Sequence, residues 1–323
     1  MVWGRKLSLQ ARNRDGVQVD VAALRIDARC VRSRVFDDNE LEATIHNASD
    51  DTIARFLARG TNIALYAGYE KGAEPGLMYQ GNIIDSVTYR EGTETITAIK
   101  SIALRSLKRP FTCTPVCLGF RPGADASQVV DSICAILGLV PIGKEMAAVV
   151  KFPAGWSFVG PVSQAIKRLA QDMRAQGIGI YVDLAEMVVF RYSQDSTYSI
   201  AYLSPDSGLL SLQDTTDYTA AAHAGLQDLA SKVGQKPEKK GDVVLKPEDV
   251  DDAYAQLDRI FTNMKKTYSA RTIVVPKMRP NSLVHIADPR RGVDGLFTVD
   301  RMEVAVGNGP DSSFAMDLKL VEA

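Results

Sequence analysis

The chain has 323 residues, of which 46% are hydrophobic and 24% charged, with a formal net charge of −1. That length carries two or three packed units of ordinary globular composition. The near-zero balance excludes a global basic footprint for nucleic acid, and four cysteines are too few for a disulfide scaffold. The opening MVWGRKLSLQARNRDG lacks the apolar core of a secretion signal, and no run approaches 18 apolar residues. The expectation is a chain made in a reducing cytosol, with no membrane insertion.

The N-terminal stretch reads as strand after strand. Lys6–Ala11, Val17–Val21 and Ala23–Arg34 come first, with Asp15-Gly16 as a hairpin turn. Leu41–His46 continues the pattern, and Thr52–Leu57 is a short helical turn or loop. The most organised part is 61–102. Asn62–Tyr66, Leu77–Tyr89 and Thr93–Ile99 are joined by polar turns at Lys71–Gly76 and Arg90-Glu91-Gly92, which predicts an antiparallel meander. Thr93, Thr95 and Thr97 alternate with Glu94, Ile96 and Ala98, the period of a sheet with one covered face. Gly68, Gly81 and Gly92 read as turn or bulge positions.

Pro110, Pro115 and Pro122 then break the strand pattern. A helix is predicted over Asp125–Leu137, with Asp125 as N-cap, Val129, Val130, Ile133, Ile136 and Leu137 as its apolar stripe, and Gly138 as its stop. Phe152–Trp156 reads as a loop. A second helix, Val162–Met173, places Val162, Ile166, Leu169 and Met173 on one side. Ile178–Asp183 and Met187–Tyr192 form a hairpin around 184–186.

Beyond 205 the pattern weakens. Leu209–Leu212 reads as a strand, Thr219–Leu229 as helical, and Ser231–Lys246 as an exposed, mobile loop. Glu248–Thr267 has helical spacing, with Val250, Tyr254, Leu257, Phe261 and Met264 on one face. Strands return at Thr272–Val275, Leu283–Ala287, Gly295–Val306 and Ser313–Val321. The division expected is 1–105, a first β domain; 106–205, an α+β middle domain; and 206–323, a second β domain with a helical or mobile insertion near 219–267.

No residue earns a catalytic, cofactor-binding or metal-ligating role. His46, His223 and His285 are far apart in sequence and read as packed or surface histidines. Cys113 and Cys117 lie in a Pro-rich connector, and zinc there would have to recruit His46 or Cys134. Asp183 and Glu186 are the nearest thing to a paired-carboxylate site of the glycosidase kind, but an acidic hairpin turn accounts for them. The chain has no phosphate-loop motif and no G-x-S-x-G. Trp3 and Trp156 are candidate interface anchors, with core packing the other reading of Trp156.

One ordered set of motifs resembles a known family. It begins with NELEATIHNAS at 39–49, Ala67-Gly68-Tyr69, and Tyr79-Gln80-Gly81-Asn82-Ile83 leading to the threonine-rich strand and Leu104. It ends with Met278-Arg279-Pro280-Asn281-Ser282, Gly295-Leu296-Phe297-Thr298-Val299 and Phe314–Val321. Together these resemble the phage tail baseplate hub proteins, the contractile-tail hub and late control protein D group. The resemblance implies a mainly β chain with an α+β middle domain and two tube-protein-like β-barrel domains. It implies a non-enzymatic homotrimer, without cofactors, that adapts a six-fold tail tube to a three-fold central spike around the DNA channel. The implied partners are the tail tube or distal tube protein, the spike trimer, the tape-measure C-terminus and baseplate wedge or sheath-initiator proteins, with no sequence-specific nucleic acid. The implied location is the virion's tail baseplate, assembled in the bacterial host cytoplasm. For the channel lining, the threonine row at 93, 95 and 97 and the Arg29–Arg34 strand are both open. The alternatives are a tail-associated cell-wall hydrolase using Asp183 and Glu186, and the hub of a non-phage contractile injection system.

Overall fold

The structure is a computed structural model that describes residues 4–13, 15–34, 39–70, 75–103, 114–184, 186–192, 198–217 and 265–323. Trp3, Leu104, Cys113, His223, most of the 71–76 turn and the helical and loop segments expected over 219–264 lie outside the described residues.

The first part runs β1 (Arg5–Arg12), β2 (Gln18–Asp20), β3 (Ile26–Ser33), β4 (Glu40–His46), α1 (Asp50–Phe56), β5 (Asn62–Tyr69), β6 (Gly76–Glu91) and β7 (Glu94–Ile102). The middle part runs β8 (Pro115–Phe120), β9 (Ala124–Asp125), α2 (Ala126–Leu137), β10 (Val140–Ile142), a 3-10 turn (Lys144–Val149), β11 (Lys151–Phe152), β12 (Trp156–Pro161), α3 (Val162–Arg174), β13 (Ile178–Asp183) and β14 (Glu186–Arg191). The last part runs β15 (Tyr198–Leu203), β16 (Leu209–Asp214), β17 (Thr267–Ile273), β18 (Ser282–Asp288), β19 (Val293–Gly307) and β20 (Phe314–Glu322).

The first and last parts form one 13-stranded sheet, in the order β16-β17-β20-β19-β3-β4-β7-β6-β5-β1-β2, with β15 and β18 branching from β19. This corrects the expectation of two β-barrels: among the described residues no sheet closes on itself. The reason lies in β19. Its first half pairs with β18, but its second half, Arg301–Gly307, pairs with β3 from the other end of the chain. The hydrogen-bonding side that a closing strand would need is used by β3, so one unit continues into the other.

The joined units repeat one plan. In the first, the long strand β6 pairs its start with β5 and its end with β7, and β4 and β3 follow β7. In the last, β19 pairs its start with β18 and its end with β20, and β17 and β16 follow β20. Both long strands change register at the same step. Ile83 faces Ser101 and Asp85 faces Lys100, so Ile84 is the extra residue; Val299 faces Leu320 and Arg301 faces Lys319, so Asp300 is. A bulge bends and twists a strand, and here each bulge sits where the long strand passes from one partner to the next.

One core joins these units. It includes Leu9, Ile26, Leu41, Ile63 and Leu65 from the first part, and Val284, Val299, Met302, Met316 and Leu320 from the last, all fully buried. The middle part has its own core around α2 and α3. Asp125 caps α2 by accepting from the Gln128 amide at 3.3 Å, and Gly138 ends the helix with φ 62°. The buried stripe of α2 turns towards Cys134, leaving Ile136 47% exposed, unlike the expected stripe. In α3, Val162, Ile166, Leu169 and Met173 are all buried as their spacing predicts, each contributing about 1.5–3 kcal/mol of apolar burial. Trp156 stands on β12, not in a loop. It is a core residue, 4% exposed, packed by Phe120, Phe152 and Phe158 and donating from Nε1 to Asp172 at 2.9 Å.

Candidate interaction surfaces

The sheet's solvent face carries a ladder of charges across its strands, paired by opposite sign except where Asp317 stands opposite Glu303. Arg271 on β17 faces Asp317 on β20, and Asp317 faces Glu303 on β19. Arg29 on β3 bonds Glu303 at 2.5 Å and faces Glu42 on β4, which with Glu40 holds Lys100 on β7 at 3.2 and 3.1 Å. Hydrogen bonding to Glu303 holds the Arg29 guanidinium above its ordinary range, and the bond from Arg29 holds the Glu303 carboxyl below the usual carboxylate range. Cross-strand pairs of opposite sign fix a register without needing a covering layer.

Neither lining suggested by the sequence is a uniform polar row. Thr97 is fully buried and shares a hydroxyl contact of 3.2 Å with Thr88. Arg29 points to solvent, whereas Arg32 lies 1% exposed on the covered side of the same strand.

That buried arginine joins the sheet to the middle part. Arg32 Nε donates to Asp183 Oδ1 at 2.8 Å, Nη2 donates to Oδ2, and Nη1 donates to the Met78 carbonyl at 3.2 Å. The β13–β14 hairpin tip is fastened further by Asn39 donating to the Val182 carbonyl at 2.8 Å and Tyr181 donating to the Pro280 carbonyl at 2.8 Å. Glu186 accepts from Arg279 at 2.6 Å, on the wall of a cleft of about 420 Å³ also lined by Leu77, Ile142 and Lys277. Asp183 and Glu186 are thus each engaged by an arginine. The signal available in sequence was only their hairpin position; the arginine partners are 151 and 93 residues away.

The other candidates stay apart. His46, 9% exposed, lies 2.8 Å from Glu94 and 3.9 Å from Asp27. His285 pairs with Asp294 at 2.8 Å and packs on the Tyr202 ring. Cys117 is exposed and Cys134 buried, and the described residues hold no group of three or more His, Cys, Asp or Glu placed to bind a metal. Gly92 has the positive φ, 62°, of a turn. Gly68 and Gly81 instead permit close approach, to Pro75 and to the Ile102 carbonyl.

Two strand edges end the ladder. Among the described residues the far half of β6, Asp85–Glu91, pairs only with β7, because the pairing of β6 with β5 ends at Asn82, opposite Asn62. Val87 and Tyr89 there are 52% and 47% exposed. At the other end, β16 pairs only with β17 among the described residues, and Leu210 is 58% exposed. Sequence alternation located both strands but not which sides lacked a neighbour.

No protein-family model and no curated protein matches the sequence. Solved structures do. A tail protein from Neisseria meningitidis MC58 superposes with a TM-score of 0.59 at 11% identity, covering 99% of this chain and 97% of that one. The 43 kDa tail protein of prophage MuSo2 from Shewanella oneidensis gives 0.59 at 11%, covering 98% and 97%. The E. coli c3393 protein, a type VI secretion component with structural similarity to the T4 bacteriophage tail proteins gp27 and gp5, gives 0.50 at 9%, covering 99% and 75%. At such identities the likeness is one of fold. The chain has the fold shared by phage tail proteins and this secretion-system component, and the likeness runs over nearly its whole length.

Proposed function

We propose that this protein is the hub of a phage tail baseplate: a homotrimeric ring between the tail tube and a central spike, surrounding the DNA channel. The observation that carries this reading is the repeat of β3–β7 in β16–β20, matched down to the bulges at Ile84 and Asp300. Two equivalent units per chain give six equivalent positions in a trimer, which is what a six-fold tube meeting a three-fold spike requires. The fold likeness to tail proteins supports the same reading. In it, 1–105 and 206–323 build the ring and 106–205 lies beside it. The solvated charge ladder lines the opening, because the sheet's other face is buried in the core. The protein binds and positions its partners, the tube protein, the spike, the tape-measure end and the wedge or sheath-initiator proteins, without catalysing a reaction. It works in the virion after assembly in the host cytoplasm.

Electron microscopy of the purified protein, alone and with its tube and spike partners, tests this. Rings with three-fold symmetry and a central opening are expected; a persistent monomer with both partners present overturns it. The fold likeness to the secretion component favours one second reading, the hub of a non-phage injection system. Capsid and terminase genes beside this one decide for the virion.

A further inference from the structure

The repeat has an internal seam, and the seam identifies what its two loose edges fit. Within the chain, Arg301–Gly307 of β19 pairs antiparallel with β3 on the side away from β20, with Ala305 facing Arg29, Val306 facing Ala28 and Gly307 facing Asp27. The bulges align Arg301 with Asp85, and hence Ala305, Val306 and Gly307 with Tyr89, Arg90 and Glu91. Following the ladders outward aligns Lys319 with Lys100, Ser269 with Glu42, and Gln213 with Arg29. On that alignment β6 corresponds to β19 and β16 to β3. The side of β19 that β3 occupies is, on β6, the side without a strand neighbour among the described residues. The side of β3 that β19 occupies is, on β16, likewise without a strand neighbour among the described residues.

We infer that the bare side of Asp85–Glu91 takes, as an added antiparallel strand, β16 of a second copy of this chain, in the register Tyr89 to Gln213, Arg90 to Leu212 and Glu91 to Ser211. This rests on the ring proposed above and specifies its contact between copies. The faces agree at the two positions that fix the register, while Arg90, set opposite Leu212, is exposed in the single chain and would be covered by the added strand. Tyr89 and Gln213 are solvent-facing, as Ala305 and Arg29 are at the internal seam, and Leu212 is 2% exposed on the core side, as Ala28 is at 6%. A shift of one residue would put the Tyr89 face against the Leu212 face. The two edges lie on different parts of one chain, so the contact is head-to-tail, and head-to-tail contacts close into rings when the rotation permits. Bare edges of this length are a liability unless something pairs with them.

The test uses the full chain with Cys113 and Cys117 replaced by Ser, leaving the buried Cys30 and Cys134 in place. Tyr89→Cys with Gln213→Cys should form an intermolecular disulfide under mild oxidation, since residues facing each other across antiparallel strands come within disulfide range. The expected product is a covalent, closed oligomer. Tyr89→Cys with Leu210→Cys, displaced by about 10 Å along the strand, should remain at background. As a second arm, Val87→Lys with Tyr89→Lys should abolish assembly while the urea midpoint of the single chain stays in place. Rings without the Tyr89–Gln213 bond, or with equal bonding at Leu210, overturn the seam and leave the ring reading intact. The bond formed in assemblies that are not rings upholds the seam and overturns the ring reading. Neither bond nor ring overturns both.

Discussion

Arg32 and Asp183 are 151 residues apart in sequence, and their side chains, each 1% exposed, form a two-pronged ion pair. The pair stands where β3 of the large sheet meets the β13–β14 hairpin of the middle part. Removing two charges from water is costly, and the attraction between them offsets that cost only when the geometry is good and the remaining donors are used. Here the third guanidinium nitrogen reaches the Met78 carbonyl. The pair therefore fixes the position of the hairpin more than it adds to stability. Asp183→Ala leaves a buried guanidinium uncompensated and should cost about 3–5 kcal/mol, read as a fall in the urea midpoint. Replacing both members by apolar residues, Arg32→Met with Asp183→Leu, should cost much less than the single change. A loss within about 1 kcal/mol for Asp183→Ala would mean that the pair behaves as a solvated one.

The charge ladder predicts a pH dependence whose sign follows from Glu303. Its carboxyl is held below the usual range, first by the hydrogen bond from Arg29. The folded state therefore binds that proton less readily than the unfolded state does. The stability it contributes is complete above the ordinary glutamate value of about 4.3 and is lost as pH falls through the folded value. Asp125, lowered chiefly by the Ser127 hydroxyl, acts in the same direction at the start of α2. Thermal melts between pH 6 and pH 3 should thus show a smaller acid loss for Glu303→Gln than for the unaltered chain. Since Arg29 is 58% exposed, high salt should narrow the difference. Parallel pH curves for the two proteins at low salt would remove Glu303 from the account.

Much of this fold was legible because its strands alternate and its helices carry complete stripes. The meander β5–β6–β7, helix α3 and the long strands β19 and β20 follow directly from residue spacing. What was not legible is non-local. Pairing of β3 with β19 joins residues about 270 positions apart, and no local pattern states it. For that reason two closed barrels were expected where one open sheet forms. The ribbon of β8 and β12 was hidden by its prolines; Pro115 and Pro161 face each other at the ribbon's end, where a missing amide is tolerated. The repeat was invisible in sequence because ladder positions, not side chains, are what recur. Tyr89 stands where Ala305 does, and Glu42 where Ser269 does.

Thiol chemistry separates the surfaces assigned here. Cys117 is exposed on β8, while Cys30 and Cys134 are buried and burial pushes each thiol up to about 12. The thiolate is the reactive form, so both buried groups should resist alkylation at pH 8 on grounds of access and of ionisation. Brief iodoacetamide treatment followed by peptide mapping should find Cys117 modified, and Cys30 and Cys134 modified only after denaturant is added. Cys30 labelled as fast as Cys117 in the native protein would contradict the packing of β3 against the core.

The bend of β6 makes its own prediction at Gly81. This residue faces Ile63 across β5, and a methyl group there would meet the Ile102 carbonyl of β7 and the hydroxyls of Tyr79 and Ser101. Those hydroxyls are bonded to each other at 3.2 Å inside the core, so they have little room to yield. Gly81→Ala should destabilise by about 1–3 kcal/mol through overpacking. Gly119 supplies the control. It lies in β8 without a positive φ, and a methyl group there meets nothing within 4 Å. Gly119→Ala should be neutral or stabilising by up to about 1 kcal/mol, through the lost freedom of the unfolded chain. Equal melting temperatures for the two variants would mean that β5, β6 and β7 do not meet as closely at Gly81 as their register requires.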